Sequence, residues 1–181
     1  MRVITGIAGG RKLKSPEGMS VRPTTDHVKQ ALFNILQFDL EGRKVLDLFG
    51  GSGQLGIEAL SRGAREAVFT DSSKRSVQLI RENLKRCGLE GKVLQTDALT
   101  YLSQGEKFDV IFIDPPYDSE LYAAVLERIN AVDNLTEGGI IICEARAETV
   151  LPEMSAPYRK QKERKYGNVK LCIYSKGEQV I

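Results

Sequence analysis

Five short apolar runs, separated by segments of helical periodicity, constrain the fold of this chain more than any other feature. They are Lys44–Phe49 (KVLDLF), Ala67–Asp71 (AVFTD), Val93–Asp97 (VLQTD), Phe108–Asp114 (FDVIFID) and Gly139–Glu144 (GIIICE). Such runs are close to continuously apolar, not alternating, which is the pattern of strands buried on both faces of a parallel sheet. The clearest helix between them spans Ser73 to Cys87, with Val77, Ile80, Leu84 and Cys87 on one face and Gly88 as its stop. A second runs from Ser119 to about Val132. Strand and helix in strict alternation predict an α/β, Rossmann-like, doubly covered sheet. The end of the chain departs from that rule. Arg159–Tyr166 and Val169–Lys176 meet at Gly167-Asn168 with no helix between, so an antiparallel hairpin is expected at the sheet's edge.

The segment before residue 43 has its own pattern. Residues 3–16 read as a short hairpin turning at Gly9-Gly10, and Arg22-Pro23-Thr24-Thr25-Asp26 leads into a helix. Val28, Ala31, Leu32, Ile35 and Leu36 fall at helical spacing, with Thr24 or Thr25 as cap and Asp26 at the positive end of the dipole. At 181 residues, one domain is expected over 1–181, with 1–40 as a basic arm of hairpin plus helix and 41–181 as a catalytic core. The net charge of +2 does not by itself announce a nucleic-acid binder, but its placement is uneven. Arg2, Arg11, Lys12, Lys14, Arg22 and Lys29 crowd the first 30 residues, and Arg159, Lys160, Lys162, Arg164, Lys165 and Lys170 crowd residues 159–170. Cys87, Cys143 and Cys172 are far apart in apolar company, which suits reduced core thiols in the cytoplasm and neither a disulfide frame nor a metal site. No signal-peptide pattern and no membrane-length apolar run is visible, so no membrane partner is expected.

The first four runs end at or near an aspartate: Asp47, Asp71, Asp97 and Asp114. The fifth ends at Glu144. In a doubly wound sheet these carboxyl ends share one edge, where ligands bind. Asp after a strand also starts turns and caps helices. Five such groups around one crevice, however, repel one another and favour a cationic ligand. Gly51-x-Gly53-x-x-Gly56 follows a strand and opens a helix, and Asp71 comes 20 residues after Gly51, which fits a dinucleotide fingerprint and by itself permits NAD. Asp47, three residues before Gly50, weighs against it. At an effective dielectric near 20, two unit charges about 4 Å apart interact by roughly 4 kcal/mol. That interaction repels a pyrophosphate and attracts the ammonium and sulfonium of S-adenosylmethionine (SAM). The expected cofactor contacts are Asp47, Phe49, Gly50, Gly51, Ser52, Gly53 and Gly56 of the loop, Asp71 and Ser72 at the ribose, and Asp97 and Ala98 at the adenine.

The fourth run ends on Asp114-Pro115-Pro116-Tyr117. Two prolines end a strand and fix the chain rigidly. Methyl transfer to the exocyclic amine of a base needs that amine aimed at the sulfonium. Asp114 can accept one N–H, the Pro115 carbonyl the other, and Tyr117 can stack on the base, worth roughly 1–3 kcal/mol. The lone histidine, His27, reads as an exposed polar residue near a helix start.

These motifs resemble those of a known family. Asp47-Leu48-Phe49-Gly50-Gly51-Ser52-Gly53-Gln54-Leu55-Gly56-Ile57-Glu58-Ala59-Leu60-Ser61-Arg62-Gly63-Ala64 is similar to the SAM loop of the RsmD family, bacterial 16S ribosomal RNA guanine-N2 methyltransferases. Asp114-Pro115-Pro116-Tyr117 resembles its catalytic tetrapeptide, and Arg22-Pro23-Thr24-Thr25-Asp26 with Ala31-Leu32-Phe33-Asn34 its N-terminal signature. Gly9-Gly10-Arg11-Lys12-Leu13 and the Tyr166-Gly167 turn are similar too. Gln30 stands where members often carry Glu, and Gly50 where many carry Ala. The resemblance implies a class I SAM-dependent methyltransferase fold, a seven-stranded, mostly parallel sheet with its last strand antiparallel. It implies SAM as cofactor, S-adenosylhomocysteine as product, no metal, and a guanine of small-subunit ribosomal RNA as target, within a particle. Arg2, Arg11, Lys12, Lys14 and Arg22 would hold phosphates, and the protein would act as a monomer in the cytoplasm. The tetrapeptide alone is shared with DNA adenine N6 methyltransferases, and a non-catalytic RNA-binding assembly protein would share the basic arm.

Overall fold

A computed structural model gives the architecture and describes residues 1–15, 26–36, 40–116 and 119–177. The apolar runs become β1 (Lys44–Asp47), β2 (Glu66–Asp71), β3 (Lys92–Gln95), β4 (Phe108–Ile113) and β5 (Leu135–Arg146). The closing hairpin is β6 (Tyr158–Tyr166) and β7 (Val169–Lys176). All seven form one sheet in the order β3-β2-β1-β4-β5-β7-β6. The pairs from β3 through β5 are parallel, and β7 runs antiparallel to both β5 and β6. The hairpin is therefore not simply appended. Its second strand inserts between β5 and its first.

Three expected strands end early because their last residues leave the ladder for the site. β1 stops at Asp47 before the glycine turns, β3 stops two residues short of Asp97, and β4 stops at Ile113. β5 starts earlier than Gly139, because Leu135 already pairs with Phe108.

Helices cover both faces. α1 (Asp26–Ile35) and α2 (Gln54–Ser61) lie on the face shown by Val45, Val110, Phe112, Ile140 and Ile142. α3 (Lys74–Cys87) extends that layer over β2, where Ile80 and Leu84 meet Phe69. α4 (Ala98–Leu102) and α5 (Ser119–Val132) cover the other face, shown by Leu46, Ile111, Ile113 and Ile141. In β4 the side chains therefore alternate between two apolar layers, which is why the run reads as continuously apolar. Each fully buried Leu, Ile or Phe contributes about 1.5–3 kcal/mol. Ser73 caps α3 by accepting from Ser76 N at 3.3 Å, and Gly88, at φ 64°, ends it in the left-handed region.

The N-terminal hairpin is shorter than expected. It closes through a single bridge, Arg2 to Lys12, with Val3 N donating to Arg11 O at 3.0 Å and Gly10 N to Val3 O at 2.9 Å. Residues 5–10 turn instead onto the end of α2. Ile7 N donates to Ser61 O at 2.8 Å and Ala8 N to Ser61 Oγ at 3.0 Å, so the helix end supplies partners that a second strand would have offered. Gly6 is obligatory in this contact: at φ 85°, an added Cβ would lie 1.8 Å from Ser61 O.

Beneath that contact sits a buried charge cluster. Glu58 of α2 accepts from Ile4 N at 2.7 Å, Thr5 N at 3.0 Å and Arg62 Nε at 2.9 Å, and Lys29 Nζ of α1 lies 3.6 Å away. Lys29, counted among the basic residues of the arm, is thus a core residue that also donates to the Arg2 carbonyl oxygen. Burial pulls its pKa down, and Glu58 opposes that shift. Removing one partner of such a group costs about 3–5 kcal/mol. Among the described residues, no helix is long and apolar enough to cross a membrane.

Candidate active site

The strand order reverses between β1 and β4, and the two strands end side by side. Asp47 registers with Phe112, and Leu48 N donates to Phe112 O at 3.2 Å. The glycine turns after β1 and the Asp114-Pro115-Pro116 tip after β4 therefore open onto one crevice at the topological switch point, where open α/β sheets bind ligands. β2 and β3 bring a second pair of tips together next door, since Asp71 registers with Gln95 and Thr96 N donates to Asp71 O at 3.1 Å.

The amide hydrogens of the glycine loop show which ligand chemistry suits it. Gly50 N donates to Thr70 O at 2.8 Å, Gly51 N to Asp71 Oδ2 at 2.9 Å, Gly53 N to Gly50 O at 2.6 Å and Gly56 N to Asp47 Oδ2 at 3.0 Å. A phosphate-binding turn presents such amides to its anion. Here the protein consumes all four, and the buried Asp47 carboxyl takes the Gly56 amide in the first turn of α2. The loop thus fits a ligand without phosphates. SAM satisfies that condition, and its ribose and cationic end match the carboxylates nearby.

Glycine is required in the loop for two different reasons. Gly51 (φ 54°) and Gly53 (φ 78°) adopt left-handed turns. Gly56 permits close helix–sheet packing, because its Cβ would fall 2.3 Å from Phe69 Cε1. Gly50 is a softer case: its Cβ would meet the Ile80 Cδ1 tip at 2.7 Å and, less severely, Thr70 O at 3.3 Å. Ile80 fills the space that an alanine methyl would take.

Asp47 differs from its expected placement. It is 3% exposed and turned inward to Gly56, so it does not face the crevice. Burial pushes its pKa up to about 7, the Gly56 N–H works against that shift, and the Asp71 charge adds to it. Glu144 is also buried, so the expected rim of five carboxylates reduces to Asp71, Asp97 and Asp114. Asp71 holds the loop with one oxygen and accepts from Ser73 N at 2.8 Å with the other. Each oxygen keeps a lone pair for a ribose hydroxyl. Ser72 is exposed beside it. Asp97 caps α4, accepting from Thr100 N at 2.9 Å. The Thr100 hydroxyl and amide hold its carboxyl below the usual range. Ala98 is buried behind it, and Phe49 is half-buried against the same core.

Of the tetrapeptide, Asp114 is half-buried, Pro115 buried and Pro116 exposed, while Tyr117 lies outside the described residues. Tyr122, one turn into α5, donates its hydroxyl to the Glu144 carbonyl oxygen at 2.5 Å. Burial raises its pKa, and the Asp114 charge adds to the rise, so this ring backs the tip. Asn83 has the same kind of role on the loop side. Its Nδ2 donates to Ser52 O at 2.9 Å and Lys14 O at 3.1 Å, and its Oδ1 accepts from Lys14 N at 2.8 Å. It ties the glycine loop to the N-terminal segment from the apolar face of α3. A polar residue on that face was the available signal for Asn83; Tyr122 had none beyond its nearness to the tip. Ser52 also donates its hydroxyl to Met1 Sδ at 3.3 Å.

The cations expected to hold phosphates are on the surface where described, namely Arg2, Arg11, Lys12 and Lys14. Arg2 approaches Asp26 at 3.6 Å, Lys14 pairs with Glu82 at 2.7 Å, and Arg11 donates to Arg86 O at 2.8 Å. Lys12 is exposed, and Arg22 lies outside the described residues, as do Thr24 and Thr25. Exposed pairs of this kind are worth about 0–1 kcal/mol and yield readily to a polyanion. Among the described residues, no group of three or more His, Cys, Asp and Glu could hold a metal ion.

The family described as conserved hypothetical protein 95 matches residues 1–175. The Bacillus subtilis protein YlbH is 40% identical over 182 residues, covering 97% of this chain and 99% of that one. The ribosomal RNA small subunit methyltransferase D of Escherichia coli is 32% identical over 182 residues, covering 99% and 91%. The solved structure of Escherichia coli YhhF superposes with a TM-score of 0.87 at 30% identity, covering 99% of each chain. The seven-stranded sheet order and this likeness establish the class I SAM-dependent methyltransferase fold.

Proposed function

This chain belongs to the RsmD family, and we propose that it transfers a methyl group from SAM to the exocyclic N2 amine of a guanine in small-subunit ribosomal RNA. The observation that carries the reading is the shared crevice: a glycine loop whose four glycine amides are already spent on the protein, directly beside the Asp114-Pro115-Pro116 tip. SAM, when bound, supplies an electrophilic methyl on a sulfonium.

The chain's own residues hold and aim. Asp71 takes the ribose hydroxyls, and Asp97 with the turn at Ala98 takes the adenine. Asp47 fixes the loop from below. Asp114 accepts one N–H of the guanine amine and the Pro115 carbonyl accepts the other, which turns the nitrogen lone pair toward the methyl carbon. As the N–C bond forms, the C–S bond breaks and its electron pair stays on sulfur. The nitrogen becomes positive, the Asp114 carboxylate stabilises it, and the extra proton leaves toward Asp114 or water. Tyr117 stacks on the base. Such chemistry requires an unstacked guanine, which in RNA is found in loops and bulges. Arg2, Arg11, Lys12, Lys14 and Arg22 hold the surrounding phosphates.

The test combines the protein with methyl-labelled SAM and unmodified 16S RNA or small subunits, followed by nucleoside mapping. N2-methylguanine at one position supports the proposal. No methylation under conditions where SAM binds would overturn it, and N6-methyladenine in duplex DNA would point to the other chemistry that the tetrapeptide serves.

A further inference from the structure

We propose a second RNA-contacting surface, separate from the cations of residues 1–15, where the sheet edge formed by β6 meets α1. This inference rests on the reading of the protein as an RNA methyltransferase. Among the described residues β6 is the outer strand of the sheet, paired on one side only, with β7. Side chains two apart on a strand share a face. Lys162, Arg164 and Tyr166 therefore form one row, and together with Ala31, Asn34 and Ile35 of α1 they line a groove of about 310 Å³. Successive members of the row stand about 7 Å apart, comparable with the step between neighbouring phosphates in an extended strand.

The row has a direction. β6 runs parallel to β4, because β7 is antiparallel to both β5 and β6 and β5 is parallel to β4. Tyr166 thus lies at the sheet edge onto which Asp114 opens. Its ring is half-buried, and His27 of α1 meets it edge-on at 6.3 Å. Two cations followed by an aromatic ring, leading toward the catalytic edge, is the arrangement of a single-strand track that ends in a stacking platform. The Arg164 side chain is exposed and makes no ion pair or hydrogen bond among the described residues. On the opposite face of β6, Glu163 is already held by Lys170 at 3.0 Å, so the row facing α1 carries no carboxylate of its own strand. The positive groove thus fits a polyanion, and we commit to a single-stranded flank of the substrate RNA as its occupant. Charged edge strands also serve to prevent sheet-to-sheet pairing between copies, and the experiment separates the two roles.

Lys162→Ala/Arg164→Ala and Tyr166→Ala are prepared in the full chain, with the affinity for SAM and the thermal midpoint as controls. Binding of unmodified 16S RNA is measured against salt, and methyl transfer is measured separately. The double variant is expected to flatten the slope of log K against log salt by about 1.4, two cations at about 0.7 each on a single strand. Its KM for RNA should rise about tenfold while SAM affinity holds. Tyr166→Ala should raise KM without changing the slope. An unchanged slope and KM in the double variant would overturn the surface, as would a shift from monomer to dimer or larger species on sedimentation with RNA binding intact. The binding arm needs no turnover. A flattened slope with no methylation by the native protein therefore upholds the surface and refutes the activity, whereas native methylation with an unchanged slope refutes the surface alone.

Discussion

Replacing Asp47 with Asn should make the protein more stable and a poorer cofactor binder, each by a predictable amount. Asp47 is buried beneath the glycine loop, and burial lifts its pKa from 3.8 to about 7. Between those values the folded state holds a proton that the unfolded chain has released. Linkage then requires stability to fall as pH rises across that window and to level off above about pH 7. The interval is about three pH units, and at 1.36 kcal/mol per unit the ionised carboxylate costs the fold up to about 4 kcal/mol at pH 8. Asn accepts from Gly56 N with the same geometry and carries no charge. The variant should therefore match the native protein near pH 4 and exceed it by up to about 4 kcal/mol at pH 8. With a urea slope of about 2 kcal/mol/M, that is a midpoint shift of about 2 M, read from urea titrations at several pH values. Titration calorimetry with SAM should show the opposite trend, with affinity about tenfold weaker at pH 8, worth about 1.4 kcal/mol, because the negative charge behind the loop is gone. A variant that is no more stable at pH 8, or a stability difference that ignores pH, would refute the reasoning. It would mean that the helix N-terminus and the Gly56 amide fully offset the burial of the charge.

Other substitutions separate the parts of the site. Asp114→Asn should lower kcat at least 100-fold, an effect of about 3 kcal/mol, while calorimetric SAM affinity stays within about twofold, since the loop is untouched. Gly50→Ala should cost less in thermal melts than Gly56→Ala, because Ile80 can rotate its terminal methyl aside and Thr70 O, at 3.3 Å, needs only a small shift. Gly56→Ala meets the flat, enclosed Phe69 ring and should cost at least 1–3 kcal/mol, as overpacked cores do. Glu58→Ala removes the partner of Lys29, Arg62, Ile4 N and Thr5 N together. A loss of about 3–5 kcal/mol is expected, with faster amide exchange at Ile4 and Thr5; Glu58→Gln should restore part of that protection.

The strand tips were readable in the sequence because a buried parallel strand and its polar end differ sharply in composition. Asp71, Asp97 and Asp114 follow from that contrast alone, and so does the antiparallel hairpin at Gly167-Asn168. What the contrast could not show is which way a tip residue turns. Asp47 and Asp71 look alike as carboxylates at strand ends, yet one is buried against Gly56 and the other bridges Gly51 and Ser73 at the surface. Long-range tethers were hidden for a related reason. Asn83 joins Ser52 to Lys14 across separations of 31 and 69 residues, and Glu58 reaches back to Ile4 over 54. Lys29 resembled every other lysine of a basic segment, because only the packing of α1 against α2 reveals that its ammonium is enclosed. The row on β6 was visible as charge. Its alignment with α1 and with the sheet edge onto which Asp114 opens needed the insertion of β7.

That insertion also dictates the order in which a newborn chain can mature. Among the described residues β6 has no neighbour in the sheet except β7, and β5 meets β7 along Ile140 to Arg146. Until the ribosome has made Val169–Lys176, β6 has nothing to pair with, and the apolar flank of β5 is an open seam. The cofactor half of the sheet can assemble around β1, β2 and β4 well before that point, while the half bearing β5 waits. A nascent chain stalled between residues 146 and 169 should therefore be the species most prone to self-association and the one that chaperones hold longest.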